Sequence, residues 1–354
     1  MQIQEKIKQL FNRLDSKEQK AVLRSLENKT GRMNLKDKRL PVEACPYCGA
    51  NDYCRNGNRG AIQRYLCKDC KKIFTGKTGT FIHGIKDRKK FERYFKLMFE
   101  QYLPLSAMSK KLDISYQTAF DWRHKILSGL QVTTEEFKGI TEIDDIWFLY
   151  SQKGRKGLKY SRTKGGSSRQ GDNNYQVKLL ITADRNNEKD MSVLKIGRLS
   201  KSDIQRKISG KFNESCTLVS DKHRSISAFA KAEGLLHKSF LSKKHTAGNE
   251  YHVQNVNNMA TRLKKVVNHQ LRGVSTKYLQ NYSNWFGSVE EIKNQPNGIK
   301  NIKKTLMKSK DAWDKFTHTE KNYKKFIKGY SERTYRCPTK RSWETNIGNL
   351  NVSV

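Results

Sequence analysis

Residues 139–150 read GITEIDDIWFLY, a run in which β-branched and aromatic residues alternate with polar ones. This alternation predicts a β-strand with one face toward a core. YQVKLLITA (175–183), MSVLKIG (191–197) and CTLVS (216–220) have the same character, and helical patterns separate the later strands. The order of these segments predicts one α/β domain over residues 138–290.

Two aspartates of this domain are candidates for chemistry. Asp144 lies within the first strand, and Asp221 directly follows CTLVS. Carboxylates at neighbouring strands can share a pair of hard cations, which activate water and stabilise both oxygens of a phosphoryl displacement. The ordinary alternative stays open, because a single aspartate at a strand end is more often a turn former or a helix cap.

Four cysteines before this domain have the spacing of a metal site. Cys45, Cys48, Cys67 and Cys70 form the pattern C-x2-C-x18-C-x2-C. Two such pairs can present four thiolates to one Zn²⁺, and a closed four-thiolate shell is structural because it leaves no position for water. We therefore predict a zinc ribbon at residues 40–80, with Cys54 as a thiol outside the site.

Residues 105–127, LSAMSKKLDISYQTAFDWRHKIL, have the layout of a helix-turn-helix. Met108 and Leu112 are expected in the core of the first helix, and Ser115 is expected to cap the second. A generic helical hairpin fits the same pattern and stays open as an alternative. The DNA contacts predicted on the second helix are Tyr116, Gln117, Arg123 and Lys125.

The charge of the chain indicates the class of partner. Its 354 residues contain 71 Lys and Arg against 34 Asp and Glu, a net charge of +37, so we expect a polyanion such as nucleic acid. The apolar runs are far shorter than a membrane span, and no secretory signal is evident at the N-terminus. We therefore expect no membrane association and a cytoplasmic location.

The remaining segments complete the predicted organisation. A long helix is expected over about 253–271, and a basic loop with seven Lys or Arg spans 151–170. The predicted regions are a helical pair and basic linker (1–39), the zinc ribbon (40–80), the helix-turn-helix (85–130), the α/β domain (138–290) and a Lys-rich C-terminal tail (291–354).

Taken in order, these segments resemble a known family. The two cysteine pairs, FTGKTGTFIHG, the helix-turn-helix segment, EIDDIWF, LVSDKHRSI and HVQNVNNMATRLKKVV follow one another as they do in insertion-sequence transposases. Those proteins join a zinc ribbon and a helix-turn-helix to a ribonuclease H-like domain with a DD(E/N)K signature. The resemblance covers about residues 40–287 and implies a mixed sheet flanked by helices.

The resemblance also implies roles for individual residues. Asp144 and Asp221 match the first two catalytic acids, and Asn257 stands at the third position, where many relatives have glutamate. Together they are expected to hold Mg²⁺ or Mn²⁺. Lys264 matches the lysine of the signature, two helical turns after Asn257, and is expected to contact DNA.

Three neighbouring residues leave the assignment open. Asp145 is the residue most easily confused with Asp144. Glu250 could supply the negative charge that asparagine lacks. His252 matches a histidine of the family, and either a catalytic role or a hydrogen bond at the helix start fits it.

The function implied is that of a DNA transposase. Such a protein binds the terminal inverted repeats of its element as double-stranded DNA, hydrolyses a phosphodiester at each end and transfers the strand to target DNA. Pairing of two ends implies a homodimer or a higher oligomer. The alternatives are a zinc-ribbon DNA-binding regulator with a catalytically dead domain and an RNA-processing nuclease.

Overall fold

The structure is a computed structural model that describes residues 42–60, 62–130, 134, 136–156, 171–241, 246–247, 250–293, 295–309 and 311–327, together with six residues between 11 and 19. Most of the predicted helical pair, most of the basic loop and the tail beyond residue 327 lie outside the described residues. The chain divides into two compact units, residues 1–78 and 79–354.

The first unit contains a small antiparallel sheet. Its strands are β1 (Tyr53–Arg59), β2 (Ile62–Cys67) and β3 (Ile73–Thr75), with β2 in the centre. Cys45, Cys67 and Phe74 form its buried core, and the rings of Tyr53 and Tyr65 pack against Phe74. So small a core holds little apolar surface, which is typical of a fold completed by metal.

The second unit is built on a five-stranded mixed sheet in the order β6-β5-β4-β7-β8. β4 pairs antiparallel with β5 and parallel with β7, and β7 pairs parallel with β8. The predicted mixed α/β fold is confirmed. The strands are β4 (Ile140–Leu149), β5 (Gln176–Asp184), β6 (Lys189–Ile196), β7 (Thr217–Asp221) and β8 (Leu236–Phe240), followed by the short pair β9 (Thr246–Ala247) and β10 (Tyr251–His252).

Helices cover both faces of this sheet. Ile143 of β4 joins a buried cluster with residues of α4 and α5, whereas Glu142, which points to the other face, bonds the start of α6. The helices are α1 (Arg88–Glu100), α2 (Leu105–Leu112), α3 (Tyr116–Gly129), α4 (Lys201–Ile208), α5 (Arg224–Ala232), α6 (Gln254–Lys264), α7 (Leu279–Ile292), α8 (Gly298–Lys308), α9 (Ala312–Thr317) and α10 (Thr319–Ile327).

The predicted long helix over 253–271 is only partly α-helical. After α6 the chain continues as a π-helix, Lys265–Gln270, and Arg272 and Gly273 have positive φ angles of 56° and 83°. The Nζ atom of Lys153 donates to the carbonyl oxygens of Leu271, Arg272 and Gly273. This lysine satisfies carbonyls that a helix end leaves without intrahelical partners.

The first helices of the tail are ordered against the rest of their unit. Ala312 of α9 is buried, α9 packs on α3, and the backbone N–H of Trp313 donates to the carbonyl of Gly79 at 3.0 Å. α10 buries none of its residues. Across the described residues, none of the helices combines the length and apolar character needed to cross a bilayer.

Candidate functional site

The sheet places Asp144 and Asp221 beside each other. β4 and β7 run parallel, and their last paired residues are Glu142 and Val219. Two residues further along each strand, the same register reaches Asp144 and Asp221, which lie on the same face as the last pair because strand side chains alternate. The topology therefore brings together the two carboxylates that the sequence predicts to act together.

The carboxyl group of Asp144 is in an unfavourable position for a negative charge. Burial, and then the nearby charges of Asp221 and Asp145, raise its pKa to about 7. The backbone N–H of Asp145 donates to Asp144 at 2.8 Å, and Lys264 also favours the charged form. Two carboxylates that repel each other in a partly dry site form a donor set that a divalent cation would stabilise.

Asp145 is distinguished from Asp144 by its partners. Its side chain points to the other face of β4, where the buried Lys178 bonds it at 2.8 Å and His223 approaches to 3.6 Å. Lys178 also bonds Asp172. A carboxylate already paired with a buried ammonium group is a poor cation ligand, which supports the choice of Asp144.

Asn257 and Lys264 lie on α6, which packs against β4 and β5. Asn257 is partly exposed in the first turns of the helix. Lys264 ends the helix, and its Nζ atom lies 5.8 Å from the ring centroid of Trp147, an exposed residue of β4. Lys264 lies near enough to Asp144 to lower its pKa slightly, and Asn257 lies two helical turns before Lys264 on the same side of α6.

Glu142 is a residue of this region that the sequence analysis missed. It is only 1% exposed, and its carboxylate accepts hydrogen bonds from the backbone N–H groups of Asn255 and Val256 and from the side-chain amide of Asn255. Arg185 lies 3.0 Å away and His252 lies 3.4 Å away. The signal in the sequence is its place two residues before Asp144, on the same face of the strand.

Glu250 does not complete a cluster with the two aspartates. Among the residues that the structure describes, the four cysteines are the group of His, Cys, Asp or Glu side chains close enough to share a metal ion. Glu250 is exposed. The candidate site therefore rests on the two carboxylates of Asp144 and Asp221, with Asn257 as the third expected ligand.

The four predicted cysteine ligands converge in the first unit. Their sulfur atoms all lie within 4.8 Å of one another, with Cys45 and Cys70 at 3.7 Å and Cys48 and Cys67 at 3.6 Å. Tetrahedral zinc with Zn–S bonds of ~2.3 Å separates its sulfur ligands by ~3.8 Å. The sulfur spacing of the cluster therefore fits a structural zinc ion.

The helix-turn-helix forms as expected. Met108 and Leu112 are buried in α2, Asp113 turns the chain with a φ of 49°, and the Ser115 hydroxyl accepts from the backbone N–H of Thr118. Tyr116 and Gln117 are exposed at the start of α3, and the Gln117 amide bonds Asp121 at 2.8 Å. This end of α3 is accessible to a ligand.

The structure corrects the prediction for Arg123 and Lys125, because both side chains are buried. Arg123 donates to the carbonyl of Leu103 at 2.7 Å and lies over the ring of Trp285. Lys125 donates to the carbonyl of His83 at 3.1 Å and lies over Trp313. Both cations bind groups inside the protein, so neither is presented to DNA.

Comparison with known proteins adds an independent line of evidence. Residues 136–287 match the ISXO2-like transposase domain. A protein of Halobacterium salinarum, described as an uncharacterized protein in transposable element ISH50, is 28% identical over 184 residues. This match covers 51% of the chain and 62% of the relative, so the chain spans somewhat less than two thirds of its length.

Two solved structures show weak likeness. A pre-cleavage Mos1 transpososome has 10% identity and a TM-score of 0.24, with 67% of this chain and 81% of that chain covered. A Drosophila P element transposase strand transfer complex has 9% identity and a TM-score of 0.26, with 77% and 83% covered. Scores this low give neither structure any weight for the function of this chain.

The residues matched by the family model include the candidate carboxylate site. They span the strands that carry Asp144 and Asp221 and the helix that carries Asn257 and Lys264. The match of residues 136–287 to the ISXO2-like transposase domain thus supports the resemblance to insertion-sequence transposases.

Proposed function

We propose that the protein is a DNA transposase that cuts and joins the ends of an insertion sequence by metal-dependent phosphodiester hydrolysis and strand transfer. The observation that supports this proposal is the parallel pairing of β4 and β7, whose register extends to Asp144 and Asp221 inside the region similar to the transposase domain. The raised pKa of Asp144 supports it, since perturbed carboxyl groups are typical of catalytic sites.

In this proposal Asp144, Asp221 and the amide oxygen of Asn257 hold Mg²⁺ or Mn²⁺. Oxygen ligands suit these hard cations, and the repulsion between the two carboxylates favours binding of positive charge. The bound metal supplies activation of water and stabilisation of the oxygens at the reacting phosphorus. Lys264 binds a phosphate of the DNA next to this site, and the nearby Trp147 offers an exposed ring to a base.

The remaining regions are proposed to bind double-stranded DNA. Tyr116 and Gln117 reach base edges of the element end from the exposed start of α3, while the cysteine cluster holds zinc and stabilises a second DNA-contacting module. The net charge of +37 supports extensive phosphate contact. The protein acts with DNA in the cytoplasm, and pairing of two ends requires at least a homodimer.

A strand-cleavage assay tests the proposal. The substrate is linear duplex DNA that carries the element ends, with Mg²⁺ and, as a control, excess EDTA. We expect nicking at the ends by the wild-type protein and none by Asp144→Ala or Asp221→Ala. Asp314→Ala, which removes an exposed acid of α9, is the matched control and is expected to cleave normally.

The same assay separates the alternative functions. Asn257 in place of an acid is the observation that favours a DNA-binding regulator, which would bind the ends tightly and cleave nothing. An RNA-processing nuclease would cleave matched RNA and leave the DNA intact. Either outcome, obtained with protein that contains zinc and divalent cation, would reject transposase activity.

A further inference from the structure

We propose that Glu142 is a positioning residue that fixes the start of α6 on β4 and thereby sets where Asn257 and Lys264 stand relative to Asp144. Its catalytic consequence rests on the proposed function. Glu142 itself is not proposed as a metal ligand. The evidence lies in the bonds of its carboxylate, in the lack of a local cap on α6 and in its spacing from Asp144.

The Glu142 carboxylate is buried and fully engaged. Its Oε2 atom accepts from the backbone N–H groups of Asn255 at 2.9 Å and Val256 at 3.2 Å, and its Oε1 atom accepts from the side-chain amide of Asn255 at 2.8 Å. Arg185 supplies a positive charge 3.0 Å from Oε1. Burial of a carboxylate is costly without such bonds, so this arrangement is a specific one.

These bonds replace a local helix cap. The first N–H groups of an α-helix have no intrahelical partners, and a side chain just before the helix usually accepts from them. At α6 that position is Val253, which cannot accept, and no side-chain cap is formed there. Glu142 takes this role from a strand 113 residues earlier, and its negative charge suits a helix N-terminus.

His252 belongs to the same arrangement. Its Nδ1 atom lies 3.3 Å from the donating backbone N–H of Gln254 and 3.4 Å from Arg185. Arg185 therefore contacts both Glu142 and His252 and connects the end of β5 with the start of α6. Of the two roles left open for His252, these contacts favour the hydrogen bond at the helix start.

The hydrogen bonds between Glu142 and the start of α6 form a tie that lies close to the candidate metal site, as the spacing of Glu142 and Asp144 shows. Glu142 and Asp144 are two residues apart on one face of β4, about 6.6 Å along the strand. Asn257 directly follows Val256, whose N–H is held by Glu142. Residues 142–144 of β4 therefore carry the candidate ligand Asp144 and also Glu142, which holds the start of α6. A shift of α6 would displace Asn257, the other candidate ligand.

Glu142→Gln tests the tie with little change in shape. Glutamine keeps one acceptor oxygen, so it can accept either from the backbone N–H groups of Asn255 and Val256 or from the Asn255 side chain and Arg185, but not from both sets. We expect kcat for end cleavage to fall by about 10- to 100-fold, as for supports of metal ligands, with KM for DNA unchanged and the half-saturating Mg²⁺ concentration raised. Unchanged kcat and Mg²⁺ dependence would overturn the catalytic part of the proposal.

Asp203→Asn is the matched control. Asp203 is also a buried carboxylate that caps a helix, α4, and pairs with Lys195 and Arg206 away from the carboxylate site. We expect this variant to lower the unfolding temperature and to leave kcat and the Mg²⁺ dependence of the folded protein unchanged. An equal catalytic loss in both variants would mean that Glu142 acts only through general stability.

Amide hydrogen exchange measures the hydrogen bonds between Glu142 and the start of α6 without depending on activity. In the wild-type protein the amides of Asn255 and Val256 should exchange slowly, and in Glu142→Ala, which removes both acceptor oxygens, at least about 10-fold faster, with no change there in Asp203→Asn. Slow exchange in Glu142→Ala would reject the tie even if the wild-type protein cleaves DNA. Absence of wild-type cleavage would reject the proposed function and leave the exchange result to decide the tie.

A second variant covers the case in which Glu142→Gln does not fold. Asn255→Ala removes one of the three hydrogen bonds from α6 to Glu142 and leaves the carboxylate with Arg185. We expect a several-fold loss of kcat and a smaller rise in exchange at Val256. Wild-type values for both would overturn the proposal.

Discussion

The two candidate metal sites of this protein differ in how they are assembled. The cysteine site takes its four ligands from residues 45–70, and its sulfur atoms converge around one position. The proposed carboxylate site would take its ligands from β4, β7 and α6, so its residues span 144–257. The first depends on a local motif, whereas the second depends on a completed domain.

This difference in assembly implies that the two sites are stabilised in different ways. The cysteine unit has a small core, so we expect it to need metal to stay folded. The second unit has a large core, and it holds Asp144 close to Asp221 although this raises the pKa of Asp144 to about 7. Loss of a ligand should therefore unfold the first site and relieve repulsion in the second.

The largest expected effect is that of Cys67→Ser. Structural zinc contributes about 10 kcal/mol or more to the folding of small domains, so this variant should lose its zinc and the structure of residues 42–78. Zinc content and the NMR spectrum of the ribbon measure the loss. Cys54→Ser, which alters a thiol outside the cluster, should keep both. A ribbon that stays folded without zinc would remove the contrast between the sites.

Asp144→Asn should have the opposite effect on stability. The pKa of Asp144 is raised, so its ionised form is disfavoured in the folded state above pH 7, and asparagine removes this cost. Without divalent cation, we expect a gain of about 1–3 kcal/mol in unfolding free energy at pH 8. The gain should vanish below about pH 4, where aspartate is protonated in both states. Urea titrations measure it, and destabilisation at pH 8 would contradict this account.

His124 provides a pH dependence of opposite sign outside both sites. Burial, with Arg123 and Lys277 nearby, lowers its pKa to about 3, and its ring centroid lies 3.9 Å from that of Tyr278, with the two planes tilted by 36°. The folded state thus favours neutral histidine, and the stability present above pH 6.5 is lost as pH falls toward 3. Between pH 7 and 5 we expect a loss of about 2 kcal/mol, absent in His124→Phe. Equal losses in the two proteins by urea titration would disprove this.

The smallest effect concerns two exposed residues, one on α3 and one on α2. Gln117→Ala removes an exposed amide that can read a base, so we expect discrimination between the element end and scrambled DNA to fall by about 1 kcal/mol. Lys110→Ala, on the exposed face of α2, should weaken binding to both DNAs equally. Fluorescence anisotropy at fixed salt measures both. Unchanged discrimination in Gln117→Ala would assign base recognition to other residues.

Local patterns in the sequence were sufficient for much of the fold. The alternation at 139–150 predicted β4, and the cysteine spacing predicted the convergence of all four thiols, because both signals depend on near neighbours in the chain. The pairing of Asp144 with Asp221 followed from two adjacent strands. Each of these features is determined by the fixed side-chain period of a strand or helix, or by a tight turn.

Features that depend on distant contacts could not be read in the same way. Arg123 and Lys125 have the composition of DNA contacts, but α7 and α9 pack against α3 and bury them. The burial of Glu142 depends on α6, which places Asn255 against it. In both cases a charged side chain is stabilised by partners from elements remote in sequence, which no local pattern encodes.

The central claim is that Asp144, Asp221 and Asn257 surround a divalent cation. Replacement of that cation by Fe²⁺, with ascorbate and peroxide, generates hydroxyl radicals that cut the backbone near the metal. We expect cuts close to residues 144, 221 and 257, competed by Mg²⁺ and absent in Asp144→Asn, while the zinc-filled cysteine cluster gives none. Uncut protein at these three positions, or cutting that persists in Asp144→Asn, would contradict the account.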